Sequence, residues 1–230
     1  MDFGTAQFWL AALEIIVINV LLSGDNAVVI ALACRNLPPR QRRWGVFWGA
    51  AGAIVLRIVL TIFAVSLLTL PYLKIVGGAL LLWIGVNLIA EEDEGGDDGS
   101  AVRGSDRLLS AVRTVIVADL VMSIDNVLGV AAAAKGSILL LVFGLVVSIP
   151  LVIAGSQVIM RLIERFPVLI LAGGGLLGFV AGEMVVEDAA IAGWVKAHAH
   201  ALEWLVPAAG VVIVVGVAKW VQRRREKGAA

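Results

Sequence analysis

The sequence predicts an all-α, polytopic membrane protein with seven transmembrane helices. Of its 230 residues, 60% are hydrophobic and 16% are charged, and the mean hydropathy is +0.99. The charged residues are clustered between long apolar runs. A chain of this composition cannot cover most of its surface with water-facing side chains, so most of it is predicted to lie in a bilayer.

The seven spans follow from the lengths of the apolar runs, because a transmembrane helix needs about 20 mainly apolar residues. The runs lie near residues 8–34, 44–69, 71–90, 109–134, 137–160, 167–186 and 205–221. The two longest connections are the acidic, glycine-rich 91–108 and the segment 187–204, which contains His198 and His200. Neither connection is large enough to fold alone, so residues 1–230 are predicted to form a single membrane domain.

The basic residues predict the orientation of the spans. If the N-terminus is outside, fourteen Lys and Arg residues lie on the inner side, and three, Lys74, Lys135 and Lys196, lie on the outer side. An excess of basic residues marks the cytoplasmic side of a membrane protein. The predicted topology is therefore N-terminus outside and C-terminus inside, with an odd number of spans.

Two parts of the chain resemble each other at an offset of one hundred residues, where Ser23-x-Asp25-Asn26 recurs as Ser123-x-Asp125-Asn126. A second match pairs the Pro-x-Leu and Gly-Gly pattern of 71–78 with that of 167–174. Residues 8–90 are therefore predicted to be duplicated as 109–186, with the helix at 205–221 as an addition. Because each copy has three spans, the copies enter the membrane from opposite sides, as in secondary transporters with inverted repeats.

Five carboxylates lie deep inside predicted spans, where Arg57 is the single base at similar depth. The acids are Glu14, Asp25, Asp119, Asp125 and Glu183. Each buried charge costs ~2.5 to 3.5 kcal/mol at the centre of a membrane helix, so one arginine cannot offset all of them. The acids must be partly protonated, line a wet cavity or bind cations. Arg57 is expected to pair with one of them, either as a structural counter-ion or as a mobile substitute for a cation.

The repeated motif places oxygen-bearing side chains on one face of each helix. Residues 19, 23 and 26 lie at i, i+4 and i+7, as do residues 119, 123 and 126. A small unwinding at Ser-x-Asp-Asn, eased in the first copy by Gly24, would turn Asp25 and Asp125 toward the same centre. Carboxylate, amide and hydroxyl oxygens are hard ligands that suit Mn²⁺, Mg²⁺ or Ca²⁺.

Glycines at Gly174, Gly178 and Gly182 predict close helix packing along the sixth span, because small residues let helix backbones approach. Glu183 follows this row of glycines directly. It is therefore expected to lie in the protein interior.

Several of these segments together resemble the TerC family of integral membrane proteins, in particular its YjbE-like branch. They are LSGDNAVVIAL at 22–32, ADLVMSIDNVLGVA at 118–131, Leu56-Arg57 and Ala181-Gly182-Glu183. The resemblance covers about residues 8–188. The family is similar to the lysine-exporter superfamily in its repeat plan, and it is associated with manganese export and historically with tellurium resistance.

The resemblance implies a site for a transported metal ion near the middle of the membrane. The implied ligands are Asp25, Asn26, Asp119, Asp125, Asn126 and Glu183. Arg57 is the implied coupling residue or counter-ion. The residues expected around the site are Glu14, Asn19, Ser23, Ser123 and Asn87.

The expected function is export of a divalent cation, Mn²⁺ by the resemblance, across a bacterial inner membrane. The expected partners are the metal ion and the lipid bilayer, with no nucleic acid and no permanently bound cofactor; a homo-oligomer is left open. Two alternatives remain: an assembly or metalation partner of other membrane proteins, and an exporter of small organic cations. An enzyme is not expected, because the sequence lacks HExxH and GxSxG motifs.

The predicted topology can be tested by cysteine labelling in intact cells. Ala199→Cys should react with a membrane-impermeant reagent added outside, whereas Gly99→Cys should react only after the membrane is opened. Labelling of Gly99→Cys from outside intact cells would contradict the predicted orientation.

Overall fold

The computed structural model describes residues 6–22, 24–63, 70–91, 104–134 and 137–229. Ser23 and the side chain of Asp125, both singled out by the sequence, lie outside the described part. The described residues form α-helices and their connections, which confirms the all-α fold class. The helices are α1 (Ala6–Leu22), α2 (Gly24–Cys34), α3 (Pro39–Ile62), α4 (Leu73–Ala90), α5 (Gly104–Ala134), α6 (Ile138–Arg165), α7 (Val168–Val186), α8 (Ala192–His198) and α9 (Leu202–Ala229).

Five of the described helices are long and apolar enough to cross a membrane: α3, α4, α6, α7 and the Leu202–Arg225 part of α9. The segments Phe8–Asn19 and Gly24–Cys34 together make a sixth candidate, bent by 52°. Helix α5, several of whose side chains lie outside the described part, is not in this count. The protein is therefore a polytopic helical membrane protein with five or six candidate spans, and the number seven stays a prediction.

The two copies of Ser-x-Asp-Asn differ in their backbone. In the first copy α1 ends at Leu22 and α2 begins at Gly24, whereas α5 continues unbroken through the second copy. The unwinding predicted for the second copy is therefore wrong. The residue after the serine explains the difference: Gly24 bends easily because it has no Cβ, while its counterpart Ile124 is a buried side chain that packs within the helix bundle.

The connection predicted at 187–204 contains the short helix α8. His198 and His200 lie at its end and beyond it, and both side chains are exposed.

The helices form two compact units. The first consists of Met1–Leu68 and Ser105–Met160, and the second consists of Thr69–Gly104 and Arg161–Ala230. The first unit thus contains the first two spans of each predicted repeat, and the second contains the third span of each with the added C-terminal helix. The duplication, the inversion of the copies and the single membrane domain stay predictions.

In the first unit, an apolar core joins α1, α3, α5 and α6. Its largest fully buried members include Phe8, Ile15, Leu140 and Leu145, with Ile54 of α3 packed among them. On α3 small residues make a close approach possible, since Gly49 lies directly against Val115 of α5. This packing sets the spacing of the helices around the polar centre described below.

In the second unit, the predicted glycine row is a close-packing face. Gly178 of α7 lies against the backbone of Gly210 in α9, and Gly182 lies against Pro207. A Cβ at either glycine would overlap the backbone of the neighbouring helix. The expectation of close packing along α7 is therefore confirmed.

A buried carboxylate, Asp188, ties the start of α4 to the end of α7. Its two oxygens accept backbone N–H groups from Tyr72 at 2.8 Å, Lys74 at 3.0 Å, Ile75 at 3.3 Å and Ala190 at 2.9 Å. Tyr72 has the left-handed φ of 66°, which side chains rarely adopt. Asp188 therefore satisfies the free N–H groups at the N-terminus of α4 and stabilises a strained turn.

The charge of Asp188 is stabilised by these bonds. Burial by itself raises the pKa of the carboxyl, but the four backbone N–H groups outweigh burial and hold the pKa below its ordinary value. Because the folded pKa is depressed, the ionised carboxylate stabilises the fold above the unfolded pKa of about 3.9. This stabilisation is lost as the pH falls through the folded pKa.

We expect Asp188→Asn to lower the melting temperature at pH 7, because an amide is a weaker acceptor and presents N–H groups to backbone donors. The difference from the wild type should shrink as the pH is lowered below about 4, in thermal unfolding measured in detergent. Glu187→Gln is the matched control: its carboxylate is 57% exposed, contacts Lys74 at 3.2 Å and should contribute little. Equal melting temperatures for wild type and Asp188→Asn at pH 7 would contradict this account.

Candidate functional site

The deep base Arg57 forms a buried ion pair with Asp119. Arg57 lies on the buried face of α3, is 2% exposed, and reaches Asp119 of α5, which is 3% exposed. The Nη2 atom of Arg57 lies 2.5 Å from Oδ1 of Asp119. The expected pairing of Arg57 with one of the deep acids is therefore found, and Asp119 is the partner.

The guanidinium of Arg57 donates to two further oxygens. Its Nη1 atom lies 2.5 Å from Oδ1 of Asn19 on α1, and its Nε atom lies 3.0 Å from Oγ of Ser123 on α5. The Ser123 hydroxyl in turn donates to Oδ2 of Asp119 over 3.0 Å. Asn19 and Ser123 are fully buried, so the polar faces of the two repeated helices meet around one guanidinium. Such bonds are what a buried ion pair needs to offset its desolvation.

The amide of Asn19 is held from its other end by Ser148 of α6. The Nδ2 atom of Asn19 donates to Oγ of Ser148 over 2.5 Å, and the Ser148 hydroxyl donates to the carbonyl oxygen of Leu145 over 2.6 Å. Sequence reasoning missed Ser148. The available signal was a lone serine in the otherwise apolar run ILLLVFGLVVSIPLV.

A small cavity lies beside this network in the first unit. Its polar lining consists of Asn19, Asn26, Arg57 and Asp119; its apolar lining comes from α2, α3, α5 and α6. Asn26 is 5% exposed, and among the residues that the structure describes neither its Oδ1 nor its Nδ2 atom has a hydrogen-bond partner. Leaving a buried polar group unpaired costs about 1–3 kcal/mol, so this amide is suited to receive a bound species.

Two of the predicted ligands, Asn26 and Asp119, line this cavity. Asp25 is half-buried and does not line it; its Oδ1 accepts the N–H of Asn26 over 2.8 Å at the start of α2. Asn126 is half-buried on α5. Among the side chains that the structure describes, no three from His, Cys, Asp and Glu form a group that could hold a metal ion.

The remaining predicted residues lie elsewhere. Glu183 is on α7 in the second unit and its side chain is exposed, so the expectation that it lies in the interior is wrong. Gly182 beside it faces Pro207, and the next residue of a helix points about 100° away from such a contact. Glu14 is exposed on α1, and Asn87 is half-buried on α4 of the second unit.

The fold and this buried polar centre define a polytopic helical membrane protein with ionisable groups inside its spanning segments. The model of the integral membrane protein TerC family matches residues 4–226, so the chain belongs to that family. This confirms the resemblance stated from the sequence.

Three relatives give the extent of the similarity. Membrane protein YjbE of Bacillus subtilis (strain 168) is 41% identical over 209 residues, which cover 91% of this chain and 94% of the relative. YceF of the same organism is 28% identical over 177 residues, which cover 74% of this chain and 68% of the relative. Inner membrane protein YgdQ of Escherichia coli (strain K12) is 24% identical over 195 residues, which cover 78% of this chain and 81% of the relative. No solved structure matches the chain with comparable significance.

The role of Ser148 can be separated from that of an ordinary buried serine. Ser156, on the same helix, is equally buried and donates to the carbonyl of Ile153 over 2.9 Å, which matches the Ser148 bond to Leu145. Ser148→Ala removes the acceptor of a buried amide N–H and should destabilise the protein by about 1–3 kcal/mol more than Ser156→Ala. Thermal or denaturant unfolding in detergent measures the difference. Equal effects of the two substitutions would show that Ser148 does not support Asn19.

Proposed function

We propose that the protein is a secondary transporter that exports a divalent metal cation, Mn²⁺, across the bacterial inner membrane, with its N-terminus outside and its C-terminus in the cytoplasm. The observation that carries the proposal is the desolvated centre of the first unit. There an ion pair, Arg57 with Asp119, borders a cavity that is also lined by Asn26, whose amide has no hydrogen-bond partner within the described part of the chain. Ionisable groups inside membrane helices are costly and mark transport pathways.

The chemistry of this centre supports a hard cation as the substrate. Its acceptors are oxygens from a carboxylate, two amides and a hydroxyl: Asp119, Asn19, Asn26 and Ser123. Oxygen ligands of this kind bind Mn²⁺, Mg²⁺ and Ca²⁺ rather than softer metals. The choice of Mn²⁺ among them rests on the resemblance to the TerC family, and Asp25 and Asp125 are proposed to add negative charge as the ion passes.

The arginine provides charge compensation in this proposal. Without a cation, the guanidinium of Arg57 neutralises Asp119, as in the pair at 2.5 Å. A buried carboxylate left without a partner costs about 3–5 kcal/mol, so the cation must replace the guanidinium and the guanidinium must return on release. This exchange keeps the site neutralised and allows the ion to leave. It also favours transport over an assembly role, which would need the inner surface more than a buried centre.

The proposal predicts the effect of Asp25→Asn and Asp125→Asn. Each change keeps the size of the side chain but removes one negative charge on which a desolvated divalent ion depends. Each should nearly abolish uptake of Mn²⁺ into inside-out vesicles. The melting temperature without metal should stay equal or rise, because a membrane-embedded charge has been removed.

Ser100→Ala, in the 91–108 connection, is the control and should transport like the wild type. Wild-type uptake by both aspartate variants would remove these residues from the pathway. Uptake by the wild type no faster than by vesicles without the protein would overturn the proposed function itself.

A further inference from the structure

We infer that the transported cation binds at the position that the guanidinium of Arg57 occupies, with Asn19 Oδ1, Asp119 Oδ1 and Ser123 Oγ as its direct ligands. This inference rests on the proposed function and specifies its binding site. It gives Asn19 and Ser123 a direct role, where the sequence placed them only around the site.

The direction of the hydrogen bonds around Arg57 supports this position for the ion. A guanidinium has five N–H donors and no acceptor, so every atom bonded to it must present a lone pair. Among the described residues these atoms include Oδ1 of Asn19 at 2.5 Å, Oδ1 of Asp119 at 2.5 Å and Oγ of Ser123 at 3.0 Å. A hard metal ion also requires lone pairs from oxygen. The three oxygens already surround one positive charge and can surround another.

The surrounding contacts fix this arrangement. The Ser148 hydroxyl donates to the carbonyl of Leu145, so it must accept from the NH₂ group of Asn19. The amide of Asn19 therefore presents its oxygen to the centre. The Ser123 hydroxyl donates to Oδ2 of Asp119, which leaves a lone pair directed at the guanidinium. Ser148 is thus a positioning residue for Asn19.

The charge of the three-oxygen site suits a transporter. It contains one carboxylate and two neutral oxygens, and the affinity of an oxygen site for a divalent ion decreases as the number of its charged ligands decreases. A site with few charges binds a cation weakly enough to release it. The unpartnered amide of Asn26, which lines the same cavity, is placed to contact the ion or its remaining water.

The decisive experiment removes the arginine first. In purified Arg57→Gln protein, Asn19 and Ser123 have no guanidinium to contact, so an effect of these residues on Mn²⁺ affinity cannot arise through the arginine. Adding Asn19→Leu or Ser123→Ala to Arg57→Gln should weaken Mn²⁺ binding by about tenfold or more. Unchanged affinity in both double variants would overturn the inference.

Ser148 is tested in the same background. Ser148→Ala should weaken Mn²⁺ binding as Asn19→Leu does, and Ser148→Thr, which keeps the hydroxyl, should restore it. Ser156→Ala is the matched control and should leave the affinity unchanged. If Arg57→Gln does not fold, the same comparisons are made in Arg57→Lys. This variant keeps a positive charge beside Asp119 but lacks the planar guanidinium group that contacts Asn19 and Ser123 together.

The outcomes separate this inference from the proposed function. If the wild type transports and binds Mn²⁺ while Asn19→Leu and Ser123→Ala have no effect in the arginine-free background, only the position of the ion is wrong. If neither the wild type nor the Arg57 variants bind Mn²⁺ and the wild type does not transport it, the proposed function fails together with this inference.

Discussion

The first unit depends on one constraint: a buried arginine must be paired. The polar side chains that contact Arg57 provide this pairing. Arg57 and Asp119 are almost completely removed from solvent, and breaking such a pair by removing one partner costs about 3–5 kcal/mol. Asn19, Ser123 and Ser148 bring α1, α5 and α6 into the same network. Apolar residues of similar volume often stabilise a fold as well as a buried pair does. The proposed function gives the pair a role in ion exchange that does not depend on a gain in stability.

The second unit is held together by different contacts. Its helices approach through glycines, with Gly178 against Gly210 and Gly182 against Pro207. Its buried acid, Asp188, bonds to backbone N–H groups that cap a helix. An acid whose oxygens accept only backbone N–H groups is held in one position by the fold. An acid whose oxygens accept from side chains can exchange those partners when the side chains change rotamer. Asp188 therefore has a structural role, whereas Asp119 is the acid to which we assign the proposed transport chemistry.

Apolar runs long enough to span a membrane predicted the helices closely, because such a run satisfies its backbone hydrogen bonds in a bilayer only as a helix. The runs at 71–90 and 167–186 correspond to α4, Leu73–Ala90, and α7, Val168–Val186. The sequence also predicted that Arg57 would find an acid. It missed Ser148 and Asp188, whose partners lie 129 and 116 residues away in the chain. Such contacts depend on tertiary packing, which helical periodicity does not encode. For the same reason Glu183 was misplaced, since a glycine row does not determine where the next side chain points.

The central claim is that a divalent cation and the guanidinium of Arg57 occupy one position in turn. The most direct measurement is the anomalous-scattering peak of Mn²⁺ in crystals of the wild-type protein grown with that ion. The account predicts a peak at metal–oxygen distance from Asn19, Asp119 and Ser123, with the guanidinium withdrawn from Asp119. A Mn²⁺ peak elsewhere, with the Arg57–Asp119 pair still at its 2.5 Å separation, would contradict it.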